Sequence, residues 1–242
     1  MTSSPPPQAR DLVLVDFDGT LAVADVGNRF FHRFTIDPQR WLRLIEDWKQ
    51  GRLTARECLA RECELARATP AEAHAFVRGF DLVPEAAGFT AAARAAGHQV
   101  AVASVGLSFY IEDLLARAGV RLPHHANRLR FEDAGLVPEF GSEGPSFAMQ
   151  GGRVARARPE AGAGCGTCGQ CKGAVLAEAR ATGRYRRLVL VGDGYSDRCG
   201  ARAADVLYAK GDLLAWCGAN GLDARPFATL ADVARAEGWP AA

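Results

Sequence analysis

Three short apolar runs govern what this chain can fold into. LVLV at residues 12–15, VAVAS at 100–104 and LVLVG at 188–192 each lead into a polar, glycine-containing turn. Runs this short, without the polar alternation of a half-exposed strand, fit strands buried on both faces of a parallel sheet. An Ala-rich helical segment with proline at its start precedes the second run (84–96), and another precedes the third (174–181). Strands alternating with helices predict an α/β fold with a parallel sheet. In such sheets ligands bind beyond the carboxyl ends of the strands, where all three runs turn polar.

The first two runs are separated by far more chain than one crossover helix needs. Residues 28–34, 38–50, 54–68 and 70–79 all have helical spacing, with Thr54 and Thr69 as N-caps. The predicted organisation is a disordered Ser/Pro-rich tail at 1–10, a core domain at 11–24 and 81–242, and a small helical domain inserted at 25–80. FEDAGLVPEF (131–140) reads as a hairpin, 153–171 as a long loop and 229–238 as a surface helix.

Charge and composition narrow the function. The chain carries 29 basic and 28 acidic residues, so it has no electrostatic footprint for nucleic acid or an anionic membrane. No apolar run approaches the ~18 residues of a membrane span. The N-terminus lacks an apolar signal core, and an odd count of seven cysteines does not suit a secreted disulfide framework. These features predict a cytoplasmic, reduced protein with no nucleic-acid or membrane partner; monomer and homodimer both stay open.

Four places carry chemistry. In VDFDGTL (15–21), Asp16 and Asp18 flank one residue directly after a strand, so both carboxylates can aim at one point and need a cation or a shared proton. A Gly/Asp surface turn would use the same residues. VGDGYSD (191–197) places Asp193 at a strand end and Asp197 four residues on, a set of oxygens suited to a hard ion such as Mg²⁺. Ser104 ends VAVAS, where a hydroxyl and free N–H groups at a helix start can bind phosphate or simply cap the helix. Lys172, in CGQCKGAVL, is one of only three lysines in an arginine-rich chain, and its compact charge suits carboxylate and phosphate oxygens.

DFDGT, Ser104, Lys172 and GDGYSD, in that order, resemble the four motifs of the haloacid dehalogenase superfamily of aspartyl phosphotransferases, across nearly the whole chain. The insert at 25–80 is similar to the helical cap of its phosphoserine-phosphatase-like branch. The resemblance implies a Rossmann-like core and a Mg²⁺-dependent phosphatase acting on a small-molecule phosphate ester. It implies that Asp16 attacks phosphorus and that Asp18 serves as acid and then base. Mg²⁺ would sit between Asp16, Asp18 (through its carbonyl) and Asp193, with Asp197 supporting it. Thr20, Ser104, the amides of Val105 or Gly106, and Lys172 would hold the phosphoryl group, and Asp25 would touch substrate from the cap hinge. Asp18 favours a phosphatase over a dehalogenase.

CGQCKGAVL and residues 207–233 resemble the branch that hydrolyses 2-hydroxy-3-keto-5-methylthiopentenyl-1-phosphate. HANRLRFEDAGL (125–136) instead resembles phosphoserine phosphatase. The second motif reads Ser-Val-Gly rather than the Ser-Gly-Gly of both, and Glu62 stands where phosphoserine phosphatases place a carboxylate-gripping arginine. A sugar or natural-product phosphate, a phosphotransferase or mutase, and a non-catalytic binding protein remain alternatives. Cys165, Cys168 and Cys171 have overlapping C-x-x-C spacing. They suggest zinc with a fourth ligand from Cys199, Cys217 or a histidine, a redox pair, or a plain loop. Cys58 and Cys63 read as helix-face residues, His124 and His125 as structural, and Phe30, Phe31, Phe34, Trp41 and Trp48 as cap core, one or two of them facing substrate.

Overall fold

Among the described residues, seven strands form one sheet: β1 (Leu12–Val15), β2 (Gln99–Leu107), β3 (His124–Glu132), β4 (Gly135–Glu139), β5 (Leu188–Gly192), β6 (Val206–Ala209) and β7 (Arg225–Pro226), in the order β4-β3-β2-β1-β5-β6-β7. The computed structural model describes residues 10–132, 135–141 and 166–240. The expected tail, apart from Arg10, and most of the expected loop at 153–171, including Cys165, lie outside them. All neighbouring strands are parallel except β3 and β4, which form the antiparallel hairpin expected from FEDAGLVPEF. β1 is central, with Val13 beside Val100 on one side and Val189 on the other.

Side chains alternate along the strands and fill two cores. Leu12, Leu14, Leu188 and Leu190 pack on one face with Leu176 of α7 (Lys172–Ala181) and Leu213 of α9 (Gly211–Ala219). Val13, Val15, Val189 and Val191 pack on the other, with α5 (Ala86–Ala95), α6 (Ser108–Arg117) and α10 (Leu230–Ala236). Both faces are covered, which is why these strands read as unbroken apolar runs. At the amino end of β1 the buried Asp11 accepts two hydrogen bonds from each of Arg186 and Arg187, tying β1 to the start of β5.

The insert comprises α1 (Val26–Phe34), α2 (Pro38–Lys49), α3 (Ala55–Leu65) and α4 (Pro70–Val77). Thr54 and Thr69 each close a capping box, with Glu57 and Glu72 respectively. Phe30, Phe31, Trp41, Leu44 and Leu59 continue the apolar core that begins on the sheet, and the Phe30 and Phe109 rings meet at 5.4 Å between insert and α6.

One boundary differs from expectation. β2 does not stop at Ser104; it runs on to Leu107, and α6 starts at Ser108, so Ser104 is not at a helix start. The pairing of β2 with β3 slips between Ala103 and Leu107. In that stretch side chains replace ladder bonds: Gly106 N–H donates to Ser104 Oγ (2.9 Å), and Asn127 Nδ2 donates to the Val105 carbonyl (2.6 Å).

Candidate active site

The carboxyl ends of β1, β2 and β5 deliver Asp16, Ser104 and Asp193 to one place, and the first residue of α7, Lys172, reaches the same place from the side. After Asp16 the chain turns sharply through Gly19 at φ 78°. A Cβ on Gly19 would lie 2.6 Å from Asp193 Oδ2, so the turn can press on Asp193 only because the residue is glycine. Thr20 is buried, and its hydroxyl donates to Asp193 Oδ1 at 2.7 Å. The structure thus puts Thr20 on Asp193 and not among the residues lining the cavity.

Lys172 is fully buried. Its Nζ donates to Asp16 Oδ1 (2.5 Å), Asp197 Oδ1 (2.5 Å) and Ser196 Oγ (3.2 Å). Asp197 Oδ2 accepts the backbone N–H groups of Asp193 (3.1 Å) and Gly194 (2.9 Å), so both oxygens of Asp197 are engaged. Asp16, Asp193 and Asp197 each bring an oxygen within 4.8 Å of the others. If all three carboxyls were ionised, three carboxylates against one ammonium would leave two excess negative charges in a largely buried cluster. Burial, then the neighbouring Asp197 charge, pushes the Asp16 carboxyl well above its ordinary range; Lys172 opposes this, and Asp193 adds to it. Burial also raises Asp193, against the pull of the Thr20 hydrogen bond. Burial would lower Lys172, but Asp16 and Asp197 outweigh it and hold the ammonium charged. An all-oxygen set short of two positive charges is the chemistry a hard divalent cation satisfies, so these residues fit Mg²⁺.

Asp18 has different surroundings. Its Oδ1 accepts the N–H groups of Val26 (2.8 Å) and Gly27 (3.4 Å) at the start of α1, and its Oδ2 accepts the Tyr110 hydroxyl at 2.6 Å. The Ser104 hydroxyl lies 3.4 Å from the same Oδ2. Burial, with the charge of Asp25 behind it, raises Asp18 to about 7, while Tyr110 and the backbone donors restrain the rise. A carboxyl poised there can give and take a proton near neutral pH. Gly106 makes this possible: a Cβ on it would fall 1.7 Å from Tyr110 Oη and 2.8 Å from Asp18 Oδ2. Its N–H is turned to Ser104 Oγ. Asp25 caps α1, accepting from Asn28 N–H at 2.8 Å, and lines the cavity together with Ser104, Val105 and Gly106.

The cavity measures about 380 Å³ and lies between the strand ends and the insert. Asp16, Asp18 and Asp193 line it from the sheet; Phe31, Ile45, Trp48 and Leu59 line it from the insert. The Trp48 ring meets the Tyr195 ring at 5.2 Å, joining insert to core. Glu62, also lining it, is buried and accepts from Trp41 Nε1 at 2.8 Å. Burial pushes Glu62 up to about 8, so it is a neutral acid at pH 7.

Tyr110 carried no sequence signal: it stands six residues beyond Ser104 in an ordinary amphipathic helix, and only the extension of β2 brings it over Asp18. Of the cysteines, Cys168 and Cys171 are joined by Cys199, whereas Cys217 is buried among the apolar side chains of α9. Cys58 and Cys63 are buried on α3, and His124 Nε2 lies 3.1 Å from Glu112.

Comparison with known proteins follows the same lines. Residues 13–202 match the family described as haloacid dehalogenase-like hydrolase. Two curated relatives, both named 2-hydroxy-3-keto-5-methylthiopentenyl-1-phosphate phosphatase, are similar over most of their length. One, from Bacillus pumilus, is 23% identical over 226 residues, covering 93% of this chain and 89% of the relative. The other, from an Exiguobacterium species, is 26% identical over 234 residues, covering 91% and 94%. A solved structure described as a phospho-aspartyl intermediate analogue of phosphoserine phosphatase superposes with a TM-score of 0.68 at 18% identity, covering 95% of this chain and 99% of that one. No helix among the described residues is long and apolar enough to cross a membrane.

Proposed function

The chain belongs to the haloacid dehalogenase-like hydrolase family, and from that premise we propose that it is a Mg²⁺-dependent phosphomonoesterase working through an aspartyl-phosphate on Asp16. The observation that carries the proposal is the buried cluster of Asp16, Asp193, Asp197 and Lys172, two positive charges short, beside a separate carboxyl, Asp18, poised near neutral pH. Asp16 and Asp193 would hold the Mg²⁺, because Asp197 is already engaged by Lys172 and two backbone donors. When bound, the ion supplies charge neutralisation for the phosphoryl oxygens.

The chain's own groups do the rest. Asp16 attacks phosphorus, the bond to the leaving oxygen breaks, and Asp18 gives that oxygen its proton. Asp18 then takes a proton from water, whose oxygen attacks phosphorus and releases Asp16 and inorganic phosphate. Lys172 holds Asp16 in place and adds positive charge beside the reacting group. Thr20 holds Asp193, and Ser104 stands beside Asp18 at the cavity wall. Residues 25–80 act as a cap, with Asp25 at its hinge, shielding the reaction from bulk water.

For the substrate, the wall of the cavity supports one reading. Glu62 is a neutral acid where a carboxylate-bearing substrate would want a cation, and Phe31, Ile45, Trp48 and Leu59 offer apolar surface. This favours a small enol or sugar-like phosphate with hydroxyl or keto groups and an apolar tail over phosphoserine. The substrate named for the two relatives has that character, with its keto, hydroxyl and methylthio groups. The test is phosphate release, with and without chelator, across the methylthiopentenyl enol phosphate, phosphoserine and sugar phosphates. Mg²⁺-dependent preference for the enol phosphate is expected. Preference for phosphoserine would overturn the substrate assignment, and transfer of phosphate to an added alcohol in place of water would replace the hydrolase with a transferase.

A further inference from the structure

Outside the carboxylate cluster, a second group of metal-binding side chains comes together from separate parts of the chain. Cys168 lies in the turn before α7, Cys171 is the residue that caps α7, and Cys199 belongs to α8 (Arg198–Ala201). Their three sulfurs lie within 4.8 Å of one another. Cys168 Sγ and Cys199 Sγ are 3.8 Å apart. That is far longer than the ~2.05 Å of a disulfide. It is the length of a tetrahedron's edge around zinc: with Zn–S bonds of about 2.3 Å, neighbouring sulfurs stand about 3.8 Å apart.

From this geometry we propose that Cys168, Cys171 and Cys199 bind one zinc ion at a site distinct from the oxygen cluster. Binding converts three thiols to thiolates and releases their protons to solvent, with no change of oxidation state. Three thiolates fill three corners of the tetrahedron, and water or a further donor takes the fourth. Sulfur selects zinc over Mg²⁺, and the carboxylates of Asp16 and Asp193 make the reverse choice, so the two sites do not compete for one ion. The surroundings assist: Cys171 stands at the N-terminus of α7, a helix of ten residues, whose dipole favours a thiolate. The start of α7 and the turn of α8 also approach closely, since a Cβ on Gly173 would lie 3.0 Å from the Cys199 carbonyl.

The position gives the ion a task. Cys171 directly precedes Lys172, and Cys199 follows Asp197 by two residues, so a metal across them clasps the two segments whose side chains meet as the Lys172–Asp197 ion pair. The same turn reaches the insert, because Arg56 N–H donates to the Thr167 carbonyl at 3.0 Å.

The full-length protein, purified under reducing conditions without chelator, incubated with zinc chloride and then freed of unbound ion, should hold about one zinc per chain by elemental analysis. X-ray absorption should find sulfur neighbours at about 2.3 Å. Cobalt substitution should give sulfur-to-metal charge-transfer absorption. Cys199→Ser should reduce zinc content severalfold, and Asp193→Asn should leave it unchanged. Should Cys199→Ser fail to fold, X-ray absorption of the unmodified protein still decides. No zinc uptake, oxygen-only coordination, zinc lost on Asp193→Asn, iron in its place, or a Cys168–Cys199 disulfide persisting in reductant would each overturn the proposal.

Discussion

Tyr110→Phe removes a single oxygen from the proposed acid–base machinery. The Tyr110 ring is buried, in contact with Phe17 and Phe109 at centroid distances of 5.9 and 5.4 Å, and it keeps those contacts as phenylalanine. What disappears is the 2.6 Å hydrogen bond to Asp18 Oδ2. A hydrogen bond to a charged group contributes roughly 1.5–3 kcal/mol, and this one is short. If the proposed role of Asp18 is right, that loss falls on proton transfer, and kcat should drop about 10- to 150-fold with little change in KM. The hydroxyl also holds the Asp18 carboxyl down, against burial and the Asp25 charge. Without it Asp18 keeps its proton to higher pH, so the limb of the rate profile that Asp18 governs should move upward. The assay is steady-state phosphate release from the preferred substrate between pH 5 and 9, alongside circular dichroism to confirm folding. A folded variant within twofold of the parent at every pH would refute the reasoning that Tyr110 positions the acid.

Lys172→Met leaves Asp16 and Asp197 buried without their cation; it should cost about 3–5 kcal/mol of stability at neutral pH. The loss should shrink as pH falls and Asp16, whose carboxyl burial already raises, takes up its proton, as urea unfolding at several pH values would show, and turnover should fall by orders of magnitude. Unchanged stability at pH 7 would contradict the charge account. Glu62→Gln tests the neutral acid. Because burial raises Glu62 from the ordinary 4.5 to about 8, the folded state holds its proton longer than the unfolded chain. Its contribution is therefore full below the unfolded value and declines as pH rises through that window, by up to about 1.4 kcal/mol per unit. The difference in unfolding free energy between parent and variant should follow that slope, and a pH-independent difference would show that Glu62 is ionised in the folded protein.

Much of this architecture can be read from the chain itself, for physical reasons. Buried parallel strands must be apolar at every position, so β1 and β5 stand out, and Thr54 and Thr69 announce helices because each carries its Glu partner three residues on. Asp16, Asp18 and Asp193 are visible because short strands end on them. What stays hidden depends on tertiary geometry. β7 spans only two residues, Arg225 and Pro226, too few for any periodicity. The continuation of β2 past Ser104 follows from side-chain bonds between Ser104 and the Gly106 N–H and between Asn127 and the Val105 carbonyl, the second joining residues far apart in the chain, with no signature in the sequence. Tyr110 looks like an ordinary helix residue until Asp18 is placed beside it, and Thr20, expected on the phosphoryl group, donates to Asp193. Cys199 joins Cys168 and Cys171 only because α8 folds against the start of α7.

The most direct test of the central claim is to quench turnover in acid and search for a phosphoryl group on Asp16 by mass spectrometry, with Mg²⁺ present and with chelator. The account predicts a phosphorylated peptide containing Asp16 that forms only with Mg²⁺, is absent from a folded Asp16→Asn variant, and accompanies phosphate release lost in the same variant. Full phosphate release by Asp16→Asn, or phosphate found on a different residue, would contradict it.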